Sequence, residues 1–317
     1  MSSLKDNIHK LVRDQLSSWN TARRNYEALK CIQSKPVGFD GFRMQVQFNP
    51  GRARSTTAPV EQTAERPCFL CAANRPSEQE AVRWKGYEIL VNPYPIFDPH
   101  LTIPAAGHVP QFLTGKIGDM VELSMELPDY IITFNGARSG ASAPDHFHFQ
   151  AVGKETLPVW KEFPEWNRRT LLFHRHGISV WGTDHYLRPA IVIEGGAPSE
   201  IIAAAENTLK CLKTILSEPD EAQVNVLAWT DAGSTALVFF PRTGHRPRQY
   251  YAGGEEQFLA SPGAIDMAGV MITVRECDYE KASAPLIIDL FSQVTPSAPE
   301  WERIKNELSL CLQKNLK

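Results

Sequence analysis

The stretch Asn135-Gly136-Ala137-Arg138-Ser139-Gly140-Ala141-Ser142-Ala143-Pro144-Asp145-His146-Phe147-His148-Phe149-Gln150 places a loop of small residues directly before an alternating run. Successive side chains of a strand point to opposite faces, so His146, His148 and Gln150 share one face while Phe147 and Phe149 take the other. The aromatic pair anchors the strand to a core. Members of the polar row then stand roughly 6 to 7 Å apart, twice the rise per residue, which suits one imidazole binding a metal while its neighbour does separate work. Small residues in Ser139-Gly140-Ala141-Ser142 leave backbone N–H groups open to close approach by a phosphate.

Working outward, Cys68-Phe69-Leu70-Cys71 reads either as half of a metal site or as a redox pair. Cys31, Cys211, Cys277 and Cys311 stand alone and read as buried small hydrophobes, since six cysteines in 317 residues do not make a disulfide scaffold. With 43% hydrophobic and 22% charged residues, collagen-like, disordered and coiled-coil classes are excluded. The 33 Lys+Arg against 36 Asp+Glu give a net charge of -3, so no global field favours nucleic acid or an anionic membrane surface, while a small anionic substrate stays open. No apolar run reaches the roughly 18 residues of a membrane helix, and the start of the chain lacks a signal-peptide apolar segment; the expected compartment is the cytoplasm.

The hydrophobic periodicity predicts a helical start over the first 30 or so residues. Strands follow at 44–48, 87–91, 101–103, 130–134 and 146–152, with a helix over 116–127. A looser repeat of this order sets strands at 190–193, 224–229, 236–240 and 270–274. Its helix has Ser199 as N-cap and Ile202, Ala205, Leu209, Leu212 and Ile215 on one stripe. A last helix over 300–314 carries Trp301, Ile304, Leu308 and Leu312 on one side. The expected fold is α+β: two tandem halves, 1–160 and 161–317, each an antiparallel sheet packed with helices, the first carrying most of the chemistry and the second completing the site.

Cys68-Phe69-Leu70-Cys71-Ala72-Ala73-Asn74, then Gly107-His108 after Leu101-Thr102-Ile103-Pro104, then His146-Phe147-His148-Phe149-Gln150 resembles the histidine-triad superfamily. More narrowly it resembles the branch of galactose-1-phosphate uridylyltransferase, diadenosine tetraphosphate phosphorylase and the GDP-hexose phosphorylases. The resemblance runs from about Arg66 to Val152, extending more faintly upstream through Gln15-Leu16-Ser17-Ser18-Trp19-Asn20 and Val46-Gln47-Phe48-Asn49-Pro50-Gly51-Arg52, and downstream through Ser261-Pro262-Gly263-Ala264 and Asp266-Met267-Ala268-Gly269. Phe147 stands where the uridylyltransferases place proline, which is closer to the phosphorylases, whereas Cys-Phe-Leu-Cys is closer to the uridylyltransferases.

The resemblance implies two histidine-triad-like halves, a structural zinc on Cys68, Cys71, His108 and His146, and His148 as the nucleophile that takes up a nucleotidyl group. His100 competes with His108 as the fourth ligand. Two thiolates and two imidazoles would close a tetrahedral site, leaving no position for catalytic water. Gln150, where the hydrolases carry histidine, can donate to a phosphoryl oxygen but cannot deliver a proton. Asn135, Ser139, Gly140, Ser142 and Arg52 are the expected substrate-binding residues, with Arg54 a further candidate and Arg242, His245, Arg246 and Arg248 a basic cluster that could grip a phosphate; His174, His176 and His185 read as structural. The implied activity is nucleotidyl transfer from a nucleoside-diphosphate sugar or dinucleoside polyphosphate to inorganic phosphate or a sugar 1-phosphate, by a monomer or homodimer. The alternative is a non-catalytic nucleotide-sugar sensor on the same fold.

Overall fold

The computed structural model describes residues 3–53, 67–165 and 168–316. Its strands are β1 (Gln33–Phe39), β2 (Phe42–Phe48), β3 (Ala81–Trp84), β4 (Tyr87–Val91), β5 (His100–Pro104), β6 (Tyr130–Asn135), β7 (His148–Gly153), β8 (Arg169–Arg175), β9 (Ile178–Thr183), β10 (Ile191–Gly195), β11 (Val224–Asp231), β12 (Ser234–Pro241) and β13 (Val270–Thr273). The helices that matter for the site are α1 (Leu4–Ser18), α2 (Asn20–Ala28), α3 (Ile117–Glu126), α4 (Pro198–Ile215), α5 (Ala264–Met267), α6 (Ala284–Ser292) and α7 (Ala298–Asn315). Among the described residues, no helix is long and apolar enough to cross a membrane.

Ten strands form one antiparallel sheet in the order β3-β4-β5-β7-β6-β11-β12-β10-β9-β8. The second set repeats the first, 8-9-10-12-11 answering 3-4-5-7-6, with α3 inserted between β5 and β6 and α4 between β10 and β11. The sets join edge to edge at β6 and β11, where Asn135 pairs with Asn225 and Ile132 with Ala228. The expected α+β fold with paired halves is therefore present, but the halves share one continuous sheet. The stretch around Val270 departs from expectation. It pairs in parallel with β2 in a separate three-stranded sheet instead of extending the second half. All four β13 residues are buried, so alternation carried no information about which sheet would take the strand.

Helices α3, α4 and α7 cover one face of the large sheet, burying Met120, Ile201, Leu209, Leu212, Trp301, Ile304 and Leu308 with Phe147 and Phe149 of the motif. Ser199 does not cap α4; the helix begins one residue earlier, at Pro198, whose fixed φ suits a first turn, with Ala197 preceding it. Its buried stripe accordingly runs through Ile201, Ala204, Ala205, Thr208, Leu209, Cys211 and Leu212, leaving Ile202 and Ile215 at the margin. The opposite face is covered by the three-stranded sheet, α5 and α6, through Met44, Val46, Ile265, Met271, Ile287 and Phe291. On that second face β7 sets His148, Gln150 and Val152, whereas β12 sets Ala236, Val238 and Phe240. The polar row exists in one half alone.

The four lone cysteines also depart from expectation. Cys211 on α4 and Cys311 on α7 are disulfide-bonded across 100 residues, and Cys31 and Cys277 are exposed. The two helices pack side by side over the same core, which brings together sulfurs too distant in sequence to be read as a pair. Closing so long a loop removes unfolded-state freedom worth about 4 to 5 kcal/mol. Reduction, or Cys311→Ser, is expected to lower the melting temperature by several degrees; a thermal melt with and without reductant checks it, and the Cys311→Ser chain should then be insensitive to reductant.

Candidate active site and metal centre

His148 opens β7, pairing with Pro104 of β5, and is buried. Paired positions of β6 and β7 run from Tyr130–Gly153 only as far as Thr133–Gln150, so the backbone of His148 needs another partner. Gln111 supplies it: Oε1 accepts from the His148 N–H at 2.7 Å, while Nε2 donates to the carbonyls of His148 at 3.0 Å and Asn135 at 2.9 Å. One buried amide thus bridges two splaying strands. The imidazole is oriented by its own chain, with Nδ1 2.9 Å from the carbonyl of His146. That acceptor makes Nδ1 the protonated nitrogen and leaves the lone pair on Nε2, which is buried with no hydrogen-bond partner among the described residues. Burial holds the ring down to about 4, against a smaller upward pull from the His146 carbonyl, so at neutral pH it is uncharged.

Gln150 faces the same way two residues on. His100 Nδ1 accepts from the Ile96 N–H at 3.1 Å, which makes His100 Nε2 the donor to Gln150 Oε1 at 2.9 Å. The Gln150 amide is thereby turned so that its NH2 group remains for another acceptor. His100 is therefore not beside the thiols; it is a buried positioning group, held down to about 3 mainly by desolvation.

The other expected ligands converge. Cys68 Sγ lies 3.3 Å from His146 Nδ1, Cys71 Sγ lies 3.2 Å from His108 Nδ1 and 3.5 Å from His146 Nδ1, and all four ligand atoms fall within 4.8 Å of one another. Tetrahedral zinc with ordinary Zn–S and Zn–N bonds separates sulfur from nitrogen by about 3.5 Å, so the cage has the right size. Both imidazoles are braced at their far nitrogens, His146 Nε2 on the Ala105 carbonyl at 2.9 Å and His108 Nε2 beside Asp145 at 3.5 Å, as ligating histidines usually are. These residues fit zinc, which would lock the Cys68 loop onto the segment that enters β7.

The expected substrate residues divide. Ser142 and Arg52 line, with Gln150, a cavity of about 540 Å³ bounded by Trp19 at the start of α2, by Phe69 and Asn74 of the thiol loop, and by Tyr94. Arg52 Nη1 also donates to the Tyr94 carbonyl at 2.5 Å, and desolvation lowers its guanidinium to about 10. Asn135 lies between the halves, its Oδ1 accepting from Asn225 Nδ2 at 2.8 Å and from the Ala264 N–H at 2.7 Å. Gly140 is needed for a close approach: its φ is +87°, and a Cβ there would lie 2.8 Å from Gly263 Cα. Ser139 is fully buried, its hydroxyl without a partner among the described residues. Arg54 and Arg66 lie outside the described residues. In the basic cluster, Arg242 is fully committed to protein acceptors and Arg248 pairs with Asp289 at 2.8 Å. The contacts of Gln111 with His148 and of His100 with Gln150 carry no signal in the amino-acid sequence, because both depend on which strands pair.

A family model described as "Domain of unknown function (DUF4922)" matches residues 11–153. No curated protein matches. Yeast Ap4A phosphorylase Apa2 in complex with Ap4A superposes with a TM-score of 0.60 at 14% identity, covering 91% of this chain and 97% of that one. The two chains share a fold. Apa2 in complex with AMP gives a TM-score of 0.56 at 14% identity over 90% of this chain and 98% of that one. A uridylyltransferase mutant structure, at 14% identity over 78% of this chain and 94% of that one, has a TM-score of 0.44.

Two measurements check the site. Metal analysis of chain purified without chelator is expected to give one zinc per chain, and Cys71→Ser to lose it. Acid should destabilise the fold. His100 and His245 are pushed down to about 3 and about 4 by burial, so between the ordinary value near 6.5 and these lower ones the unfolded state takes up protons that the folded state refuses. Stability present above pH 6.5 is lost as pH falls, by up to about 1.4 kcal/mol per pH unit for the fully buried His100 and by less for His245, which solvent partly screens. Asp266, pushed up to about 6 by burial, opposes this with a smaller span. Melting temperatures at pH 7.5 and 5.5 should show the drop, and His100→Gln should reduce it.

Proposed function

We propose that this chain is a nucleotidyltransferase of the phosphorylase kind, which carries a nucleoside monophosphate group on His148 and passes it to inorganic phosphate or a sugar 1-phosphate. The observation that carries the reading is the His148 ring: one nitrogen tied to a backbone carbonyl, the other buried and without a partner among the described residues. The likeness in fold to a structure solved with Ap4A, and again with AMP, supports a nucleotide ligand.

In the first step the Nε2 lone pair attacks the α-phosphorus. The P–N bond forms as the bond to the bridging oxygen breaks, and the electron pair leaves with the departing phosphate group. The ring becomes cationic while Nδ1–H keeps donating to the His146 carbonyl, so no proton moves at the imidazole. In the second step an oxygen of inorganic phosphate or a sugar 1-phosphate attacks the same phosphorus, and the pair returns to Nε2. One difficult displacement becomes two easier ones. Gln150 donates its free NH2 group to a non-bridging phosphoryl oxygen, where negative charge grows in the transition state. The nucleoside occupies the cavity beside Gln150, with Trp19, Phe69 and Tyr94 as apolar walls. Zinc, when bound on Cys68, Cys71, His108 and His146, supplies structural fixation of the loop beside that cavity.

A nucleoside-diphosphate hexose is the first substrate to try, followed by dinucleoside polyphosphates. Intact-mass measurement after mixing with GDP-, UDP- and ADP-sugars and with dinucleotides is expected to show one nucleotidyl adduct, stable in base, lost in acid and absent in His148→Ala. No adduct with any of these classes would sink the reading. Gln150→Ala is expected to keep the adduct but slow its formation by about 10²-fold, the usual effect of removing one such donor.

A further inference from the structure

The second half contributes a basic loop that the chemistry above leaves unused. Arg242, buried at its centre, spends every guanidinium donor on the protein: Nη1 on Asn225 Oδ1 and the Pro262 carbonyl, both at 2.7 Å, Nη2 on the carbonyls of Gly244 at 3.1 Å and His245 at 3.0 Å, and Nε on that of Val294 at 3.0 Å. It is a scaffold and has nothing left for a ligand. What it fixes is the position of residues 243–246 against the small-residue loop of the first half. Asn225, which accepts from Arg242, donates to Asn135 Oδ1 and, at 2.6 Å, to the Ser139 carbonyl, while Gly140 rests on Pro262 and Gly263. Through Gln111, which bonds the carbonyls of both Asn135 and His148, the same network ends on the nucleophile's strand.

Among the described residues, His245 Nε2 in the basic loop and Ser139 Oγ in the small-residue loop are buried without a partner. Buried polar atoms are nearly always satisfied, and an orphan calls for a ligand or for water. The charge around His245 selects among ligands. Burial is the larger cause of its depressed basicity, but Arg246, Arg242 and Arg138, in that order, also push it down, so the potential at the ring is positive. Arg246 is held in place by Nε on Ser261 Oγ at 3.0 Å and by stacking on the Tyr250 ring, 4.1 Å from its centroid. Arg138 reaches Glu218 at 2.7 Å, and Arg242 feels the buried carboxyl group of Asp266. A neutral imidazole that carries its proton on Nε2 and a hydroxyl can both donate, and beside three guanidinium groups they suit a compact oxyanion with several acceptor oxygens.

We infer that His245, with Ser139 and the flanking Arg246 and Arg138, binds the phosphate group of the second substrate, whether inorganic phosphate or the phosphate of a sugar 1-phosphate. The role as acceptor site rests on the proposed transfer through His148; the anion site itself stands without it. Calorimetric titration of the intact chain with inorganic phosphate, and separately with a hexose 1-phosphate, tests it. Saturable binding is expected, weakened about tenfold in His245→Ala, the usual order for one lost contact to a charged group, and a few-fold in Arg138→Gln, whose largely exposed side chain spares the fold. Binding of the sugar phosphate alone, or of inorganic phosphate alone, with the same loss in the variants supports the site and names its source. Absence of binding by both, or binding that neither variant weakens, overturns it. If His245→Ala does not fold, Arg138→Gln decides alone. Adduct formation is scored on the unaltered chain, so a failed nucleotidyl adduct with intact phosphate binding rejects the transfer reading and leaves the anion site, while the converse rejects only the site.

Discussion

The carbonyl of His146, 2.9 Å from Nδ1 of His148, divides the two nitrogens of that imidazole, holding the proton on one and leaving the lone pair on the other. The carbonyl can do this because His146 is itself immobilised, with one ring nitrogen against the thiols of Cys68 and Cys71 and the other on the backbone of Ala105. Phe147, between the two histidines, is pinned in the opposite core against Phe149 at 4.8 Å between ring centroids. A residue suited to metal binding thus sets the protonation geometry of its neighbour through the main chain, a link that side-chain distances alone would not reveal.

Gln150, on the same strand, is organised by the same logic from neighbouring β5. The Ile96 N–H fixes the tautomer of His100, His100 fixes the amide of Gln150, and the surviving donor faces outward. Both relays rest on buried imidazoles that stay neutral because charging them inside the protein is costly. Each donor direction is dictated by a backbone group, the His146 carbonyl just before β7 or the Ile96 N–H in the turn before β5, and not by solvent.

The alternation of His146 to Gln150 makes the central strand and its two faces legible in the amino-acid sequence, and Cys68-Phe69-Leu70-Cys71 makes half of a metal site legible, while the histidines that would complete it come from the family resemblance. These are local or short-range signals, in which one period or one side-chain type carries the information. Roles that depend on strand pairing are invisible at that level. Gln111 is an ordinary glutamine until β6 and β7 are seen to part at His148, and His100 competes as a metal ligand until β5 is placed beside β7. Asn135 and Gly140 read as phosphate-loop residues, yet the first joins the two halves and the second permits their contact. The Cys211–Cys311 bond needs the packing of two helices 100 residues apart.

The meeting of β6 with β11 has a consequence for any attempt to divide the molecule. Every residue of β6 is buried, and along one side its residues 132–135 pair with β11. Severed from its twin, either half would display a bare, apolar sheet margin with unspent N–H and C=O groups, the kind of surface that recruits another copy of itself. Fragments of this chain should therefore stay in solution only as re-paired assemblies, the missing neighbour replaced by a second fragment zipped along the same line.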